Sequence, residues 1–297
     1  MSLTPHYDPS TEPYYNFFIT NGYSYLGHGY MHVVFEKDAS VYKVLKSVFG
    51  TDKDIKRFEF EKNMLVLLAN YGIPTPNVEH IYAPGELIPD FCVFVETKCP
   101  GLVYDSENLK PKHIAAIWSV LNITHGIDLD FFGPIAVPEL QTQTWQEYMG
   151  YLFDRAHEIK ESIHIDIDIE PVQQYFTNTY RYEDKAKLLI LDPNEKNYIF
   201  DNNDTLIGLV DIDHPIGFDP LYDIVSFLYS RPNTFQLMKQ AGLVQEKEMT
   251  TIINYAIIYM LFDLWFRYDK NHCKIDTKLE YYINKAKLFT QNLKDML

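Results

Sequence analysis

LLILDPNEKNYIFDNNDTLIGLVDIDHPIGFDPLYD, residues 188–223, decides how the rest of this chain is read. Asp192 stands five residues before Asn197, and Asp211 and Asp213 follow an apolar run. Between them, Asn197–Phe200 and Leu206–Val210 predict two short strands joined by the polar turn Asn202-Asn203-Asp204. The layout brings a carboxylate and a carboxamide on one loop to meet a second carboxylate at a strand end. Hard oxygen donors gathered in this way suit a proton acceptor beside a magnesium–phosphate site, which is phosphoryl-transfer chemistry. Taken singly, Asp192-Pro is an ordinary turn and Asn197 an ordinary strand cap; the spacing of the three is what favours chemistry. Asp213 shares the face of Asp211 in extended backbone, so it either joins the metal site or hydrogen-bonds beneath it.

Upstream of this stretch the chain divides into regions of different periodicity. Residues 1–22 read as an irregular or partly helical lead-in. Tyr23–Gly27, Met31–Glu36 and Val41–Leu45 alternate as strands, with Lys37–Ser40 as a hairpin turn. A helical pattern over Ile55–Tyr71 is closed by Gly72, Pro74 and Pro76. Val78–Ala83 and Phe91–Glu96 give a further strand pair, and Lys98-Cys99-Pro100-Gly101 then breaks the pattern. Beyond it the chain reads as mostly helical, over Pro111–His125, Thr144–Ile163, Pro171–Lys187, Leu221–Tyr229, Glu246–Tyr268 and Thr277–Lys294. The expected architecture is a two-lobe α+β fold: a β-rich small lobe over 23–97, and a helical lobe over 98–297 built around one strand pair.

Several small-lobe residues have the chemistry of an anion site. Gly27-His28-Gly29 lies between two strands, where a hairpin's N–H groups can face phosphates, although glycines in hairpins are commonplace. Strand alternation turns Lys43 away from Tyr42 and Val44 and toward a cleft, with Lys46 as the competing lysine. A glutamate of the following helix, Glu61 with Glu59 nearby, can hold Lys43 by an ion pair, and the plain alternative is a solvated charged face. At Glu96, the end of the last small-lobe strand, main-chain groups suit an adenine edge.

Composition narrows the class of function. The chain has 297 residues, 46% of them hydrophobic, and a mean hydropathy of -0.21, as in ordinary globular proteins. A net charge of -15 argues against a nucleic-acid binder and is compatible with a cationic substrate. The exposed-looking acids Asp166, Asp168 and Glu170 are either a lip for such a substrate or a helix start. The three cysteines have no metal-site spacing, no signal peptide is recognisable, and no apolar run is long enough to cross a bilayer. A cytoplasmic protein without nucleic-acid or membrane partners is expected.

The span from about Tyr23 to Tyr229 resembles the aminoglycoside phosphotransferase and choline kinase-like family, which has the protein-kinase fold. The family's catalytic loop, His-Gly-Asp-x-x-x-x-Asn, is matched by Asp192 and Asn197, and its second acidic motif by GLVDIDHPIGFDPLYDIVSF. Glu61–Pro76, Glu96–Gly101 and Ile117–Asp128 look like its helix with the Pro exit, its hinge and its Leu-x-x-Leu-His helix. The resemblance implies Asp192 as the base that accepts a substrate hydroxyl's proton. It implies Asn197 and Asp211 as magnesium ligands, and Asp219 and Asp223 as structural acids. It also favours Glu61 as the acid that holds Lys43. ATP and magnesium are the implied cofactors, and the substrate a small hydroxyl compound: an aminoglycoside, amino sugar, sugar or amino alcohol. One departure stands out, since Ile190-Leu191 replaces His-Gly and removes the polar side chain that usually braces the loop. An alternative follows from it, a nucleotide-binding protein without turnover that acts through a partner.

Overall fold

The fold is that of a computed structural model describing residues 7–270 except Tyr30, 48–54, Pro193 and Asp213, together with Asn284, Lys287 and Leu288. Asp213, Cys273 and most of the helix expected over Thr277–Lys294 lie outside the described residues. Two compact units divide the chain, meeting between Pro100 and Gly101.

In the first unit, helix α1 (Tyr15–Thr20) precedes strands β1 (Ser24–His28), β2 (His32–Lys37) and β3 (Ser40–Leu45). Helix α2 (Lys56–Asn70) and strands β4 (Val78–Tyr82) and β5 (Val93–Thr97) follow. The strands form one antiparallel sheet in the order β1-β2-β3-β5-β4. Its alternation sorts residues cleanly. One face carries Val33, Phe35, Val44, Val93 and Val95, buried together with Tyr14 and Phe18. Phe18 stacks on Phe35 with ring centroids 4.3 Å apart. The described part of the expected lead-in, from Tyr7 onward, therefore packs Tyr14 and Phe18 over the small-lobe sheet. The other face carries Lys43, Phe94 and Glu96, and here α2 lays down Phe58, Glu61, Met64, Leu65 and Leu68. Phe58 stacks on Phe94 at 5.2 Å. Glu61 thus occupies a core position of an amphipathic stripe, where a charge requires a partner.

The second unit is richer in strands than sequence periodicity suggests. Helix α3 (Pro111–Thr124), strands β6 (Asp128–Leu129) and β7 (Gly133–Pro134), and helices α4 (Trp145–Ser162) and α5 (Glu170–Asn178) come first. Strands β8 (Ala186–Leu189), β9 (Tyr198–Phe200), β10 (Leu206–Leu209) and β11 (Ile216–Phe218) follow, then helices α6 (Leu221–Ser230), α7 (Pro232–Gln240) and α8 (Met249–Lys270). Beside the expected β9–β10 pair there is a four-stranded sheet, β6-β8-β11-β7. The helix expected over Pro171–Lys187 ends at Asn178, because the Tyr180 hydroxyl turns inward to donate to Asp219 Oδ2 at 2.7 Å. Residues 186–189 then pair with β11 as a strand. Helix α6, buried from Tyr222 to Tyr229, is the centre of the unit and packs against α7 and α8. Helix α4 starts in a capping box: Thr144 Oγ1 accepts from Glu147 N, and Glu147 Oε2 from Thr144 N. Among the described residues, no helix is long and apolar enough to cross a membrane.

The β9–β10 turn is pinned to the start of α3. Asp204, at φ 60°, accepts hydrogen bonds from Tyr104 Oη at 2.7 Å and Lys110 Nζ at 2.8 Å, with Lys112 Nζ at 2.5 Å and His113 Nε2 at 3.1 Å. These donors, Lys110 first, hold its carboxyl well below the ordinary carboxylate range.

Two outcomes follow from this packing. Phe18→Ala should destabilise the protein by about 3–5 kcal/mol, the usual cost of emptying a buried phenylalanine site, as read by denaturant unfolding. A surface-like loss of under about 0.5 kcal/mol would mean that α1 is not part of the core. The lowered Asp204 acidity stabilises the fold fully above the unfolded carboxyl value, near 4, and is lost as pH falls toward the folded value. Asp204→Asn should therefore lower Tm at pH 7, and the gap to the parent should close as the pH falls below about 4.

Candidate active site

Each unit carries its own cluster of candidate residues. In the first, Lys43 Nζ lies 2.9 Å from Glu61 Oε1 and 3.2 Å from Glu96 Oε1. All three side chains are nearly sealed from solvent, at 7%, 1% and 3% exposure. The register explains the meeting: Lys43 pairs with Phe94 and Val41 with Glu96, so Lys43 and Glu96 are diagonal neighbours on the face covered by α2. Lys43 Nζ also sits 5.4 Å from the Phe94 ring centroid. The competing lysine, Lys46, is engaged elsewhere, donating to the Gly29 carbonyl at 2.7 Å above the Tyr7 ring.

Two expectations in this unit change. Glu96 is flanked by Val41 of β3 and Val78 of β4, so its main chain lies inside the sheet and offers no open edge to a base. What it presents instead is its carboxylate. Gly29 N–H donates to His32 O at 3.0 Å, so this hairpin amide closes the turn. A Cβ at Gly27 or Gly29 would meet nothing within 4 Å, and neither residue is left-handed. The fold itself therefore does not require glycine at either position.

In the second unit, β8 delivers Ile190, Leu191 and Asp192 to the surface. Ile190 is buried and Asp192 exposed, and Leu191 between them takes φ 63°. An L-residue there carries a cost of about 1–2 kcal/mol. The turn is held from beneath by Asp223, fully buried on the first turn of α6. Its Oδ1 accepts from Leu191 N at 2.9 Å, and its Oδ2 from Ile190 N at 3.3 Å. Oδ2 also lies 3.0 Å from His125 Nε2, at the end of α3. The brace that seemed lost with the motif's histidine is thus supplied through the main chain.

Asn197, buried in the short 3-10 turn that follows, donates its Nδ2 to the Asp192 carbonyl at 3.1 Å. That bond ties the two ends of the loop together and turns the amide oxygen to the opposite side. Asn197 O accepts from Val210 N at 3.0 Å, which sets the main chain of Asn197 beside the residue preceding Asp211. Asp211 is half-buried and left-handed at φ 66°. Two non-glycine residues in this region, Leu191 and Asp211, flank the same loop and hairpin end, the kind of stored strain that clusters at functional sites.

Three further residues are legible only in three dimensions. Glu195, inside the loop yet 2% exposed, pairs with Arg231 Nε at 2.9 Å. Asp219 accepts from Tyr180, Tyr255 and Leu221 N. Burial pushes its carboxyl up despite these donors. The acids of the Ile-Asp repeat have a structural setting: Ile163, Ile165, Ile167 and Ile169 are buried while Asp166, Asp168 and Glu170 are exposed. Asp168 Oδ1 accepts from Glu170 N at the start of α5.

Among the described residues, no group of three or more His, Cys, Asp or Glu is gathered as a metal cage. A magnesium ion does not need one, since it takes one or two protein oxygens and fills its shell with phosphate oxygens and water. The donor set of Asn197 and Asp211 fits that requirement.

Residues 41–248 match the phosphotransferase enzyme family. A thermostable mutant of aminoglycoside phosphotransferase APH(4)-Ia, in ternary complex with AMP-PNP and hygromycin B, is 15% identical with a TM-score of 0.64, over 94% of this chain and 98% of that one. The GDP complex of wild-type aminoglycoside 2'-phosphotransferase-IIIa is 16% identical with a TM-score of 0.64, over 95% and 99%. At such identities the likeness is one of fold. No curated protein matches the chain.

The strained turn gives a direct expectation. At an ordinary exposed position glycine is less stable than alanine by about 0.5–1 kcal/mol. At Leu191 the order should reverse, with Leu191→Gly about 1 kcal/mol more stable than Leu191→Ala in urea unfolding. Equal stabilities, or alanine the better, would remove the strain from the account.

Proposed function

Because the chain belongs to the phosphotransferase enzyme family, with its aminoglycoside phosphotransferases and choline kinase-like proteins, we propose that it moves the γ-phosphate of ATP to a hydroxyl of a small polar molecule. One observation carries the reading. Asp192 stands exposed on a loop fixed at both ends, by Asp223 through the amides of Ile190 and Leu191 and by Asn197 through the carbonyl of Asp192 itself.

In this reading the Asp192 carboxylate orients the substrate hydroxyl and accepts its proton as the oxygen attacks phosphorus. Asn197 and Asp211 hold magnesium, with Asp213 as the further acid beside them. Magnesium, when bound, neutralises charge on the phosphate oxygens. Lys43, steadied by Glu61, takes a phosphate oxygen of the nucleotide. Gly27 and Gly29, which the fold does not require as glycines, leave the hairpin bare so that phosphates can come close to its backbone. Little covalent chemistry falls to the protein, and catalysis is positioning and charge stabilisation.

The acceptor class is an aminoglycoside, another amino sugar, a sugar or an amino alcohol. The net charge of -15 favours a cationic member of that set. Both similar structures bound aminoglycoside or nucleotide ligands as their names state, AMP-PNP with hygromycin B and GDP, which supports the same substrate class here.

The test is magnesium-dependent ATP turnover across these acceptor classes, with Asp192→Ala as control. One class should stimulate turnover, and the variant should lose at least about 100-fold in kcat while ATP still raises its melting temperature. Unchanged turnover in Asp192→Ala would remove it as the base. ATP-dependent stabilisation with no acceptor-stimulated turnover would favour nucleotide binding without transfer, the reading prompted by Ile190-Leu191.

A further inference from the structure

Lys43 has two acidic neighbours where anchoring a phosphate requires one. An ammonium group has three N–H donors. Here one is donated to Glu61 Oε1 at 2.9 Å, and the ammonium is also ion-paired with Glu96 Oε1 at 3.2 Å, so a phosphate oxygen would meet a lysine already engaged by two carboxylates. Within this trio two carboxylates face one ammonium, a formal excess of one negative charge among the three groups, and none of the side chains is more than 7% exposed. An incoming phosphate would add to that excess.

The two acids are not equivalent. Glu61 lies in the buried stripe of α2, between Phe58 and Leu65, and makes the closer contact. Glu96 lies near the end of β5 and makes the longer one. The negative field of Glu96 also extends past Lys43: after burial, which is the largest cause, Glu96 raises the Cys99 thiol more than Lys43 lowers it.

We propose that the Glu96 carboxylate is an intramolecular competitor for Lys43, paired with the ammonium that a nucleotide's phosphate must engage and so setting nucleotide affinity. Glu61 is the holder of Lys43, and Glu96 its rival ligand. The proposal rests on the reading of Lys43 as the phosphate anchor. Nucleotide binding then requires Lys43 to exchange the Glu96 contact for a phosphate oxygen, and the Glu61 contact persists.

The experiment is calorimetric titration of the full chain with AMP-PNP and magnesium, for the parent, Glu96→Gln, Glu96→Asp, Glu61→Gln, Lys43→Met and the double variant Lys43→Met/Glu96→Gln. Glu96→Gln should bind about tenfold more tightly. Glu96→Asp, whose shorter side chain draws back from Lys43, should shift the same way by less and serves if the glutamine variant does not fold. Glu61→Gln should bind more weakly. With Lys43 replaced, Glu96→Gln should change Kd by less than about twofold, because its effect passes through the lysine. Weaker binding by Glu96→Gln and Glu96→Asp, with Lys43→Met also weak, would make Glu96 a second anchor and overturn the competition while leaving Lys43 as the phosphate contact. A gain undiminished in the Lys43→Met background would also overturn it, since Glu96 would then act on the nucleotide directly. An unchanged Kd in Lys43→Met would remove the anchor and the proposal together.

Discussion

The carboxylate of Asp223 is the interaction on which the loop half of the site depends. It receives the amides of Ile190 and Leu191 and faces His125, so α3, β8 and α6 meet at one buried group. Magnitudes show why it prevails. A left-handed leucine costs about 1–2 kcal/mol, and each hydrogen bond to a charged group contributes about 1.5–3 kcal/mol. Two such bonds outweigh the strain, and without them two amides at the edge of a buried strand would go unpaired. The order of events in the sequence follows: a strand ends, its last amides fall on a helix carboxylate, and the next residue, Asp192, is left facing solvent.

What the sequence made legible was whatever repeats with a short period. Alternation located the small-lobe strands to within a residue or two, and the apolar stripe located α2, while the burial of Glu61 within that stripe is visible only in the fold. Helix α7 had signals that went unread: Pro232 at its first position and Gly242 just past its end, with φ 72°. Strands β6 and β7, two residues each, carry no periodic signal at all. The false extension of α5 has a tertiary cause. Residues 179–187 contain nothing that must stop a helix, but Tyr180 and Tyr255 both donate to Asp219, and that buried acid draws the chain out of helical register.

The candidate site was legible in its chemistry and not in its supports. Spacing singled out Asp192, Asn197 and Asp211, and the fold sets the loop of the first two beside the residue that precedes the third. Nothing in the residue type discloses the left-handed backbone at Leu191, because leucine is not a residue that such a backbone selects, whereas the aspartate of Asp211 is one of the few that adopt it readily. Glu195 reads as a solvated loop acid until Arg231 is brought to it from the far end of α6. The replacement of His-Gly looked like the loss of a brace because sequence comparison counts side chains. The bonds that hold this loop end on main-chain amides, which every residue but proline possesses.

In each unit one candidate group is held in place by a buried neighbour. Asp192 is placed by main-chain bonds to Asp223 and Asn197, and Lys43 by Glu61. Glu96 is a second acid on the same lysine, 3.2 Å from its ammonium and 3% exposed. A buried carboxylate is costly unless it is paired, so its contact with Lys43 is held by the charge of that ammonium. A phosphate that drew the ammonium toward itself would weaken that pairing, which is why the two anions compete.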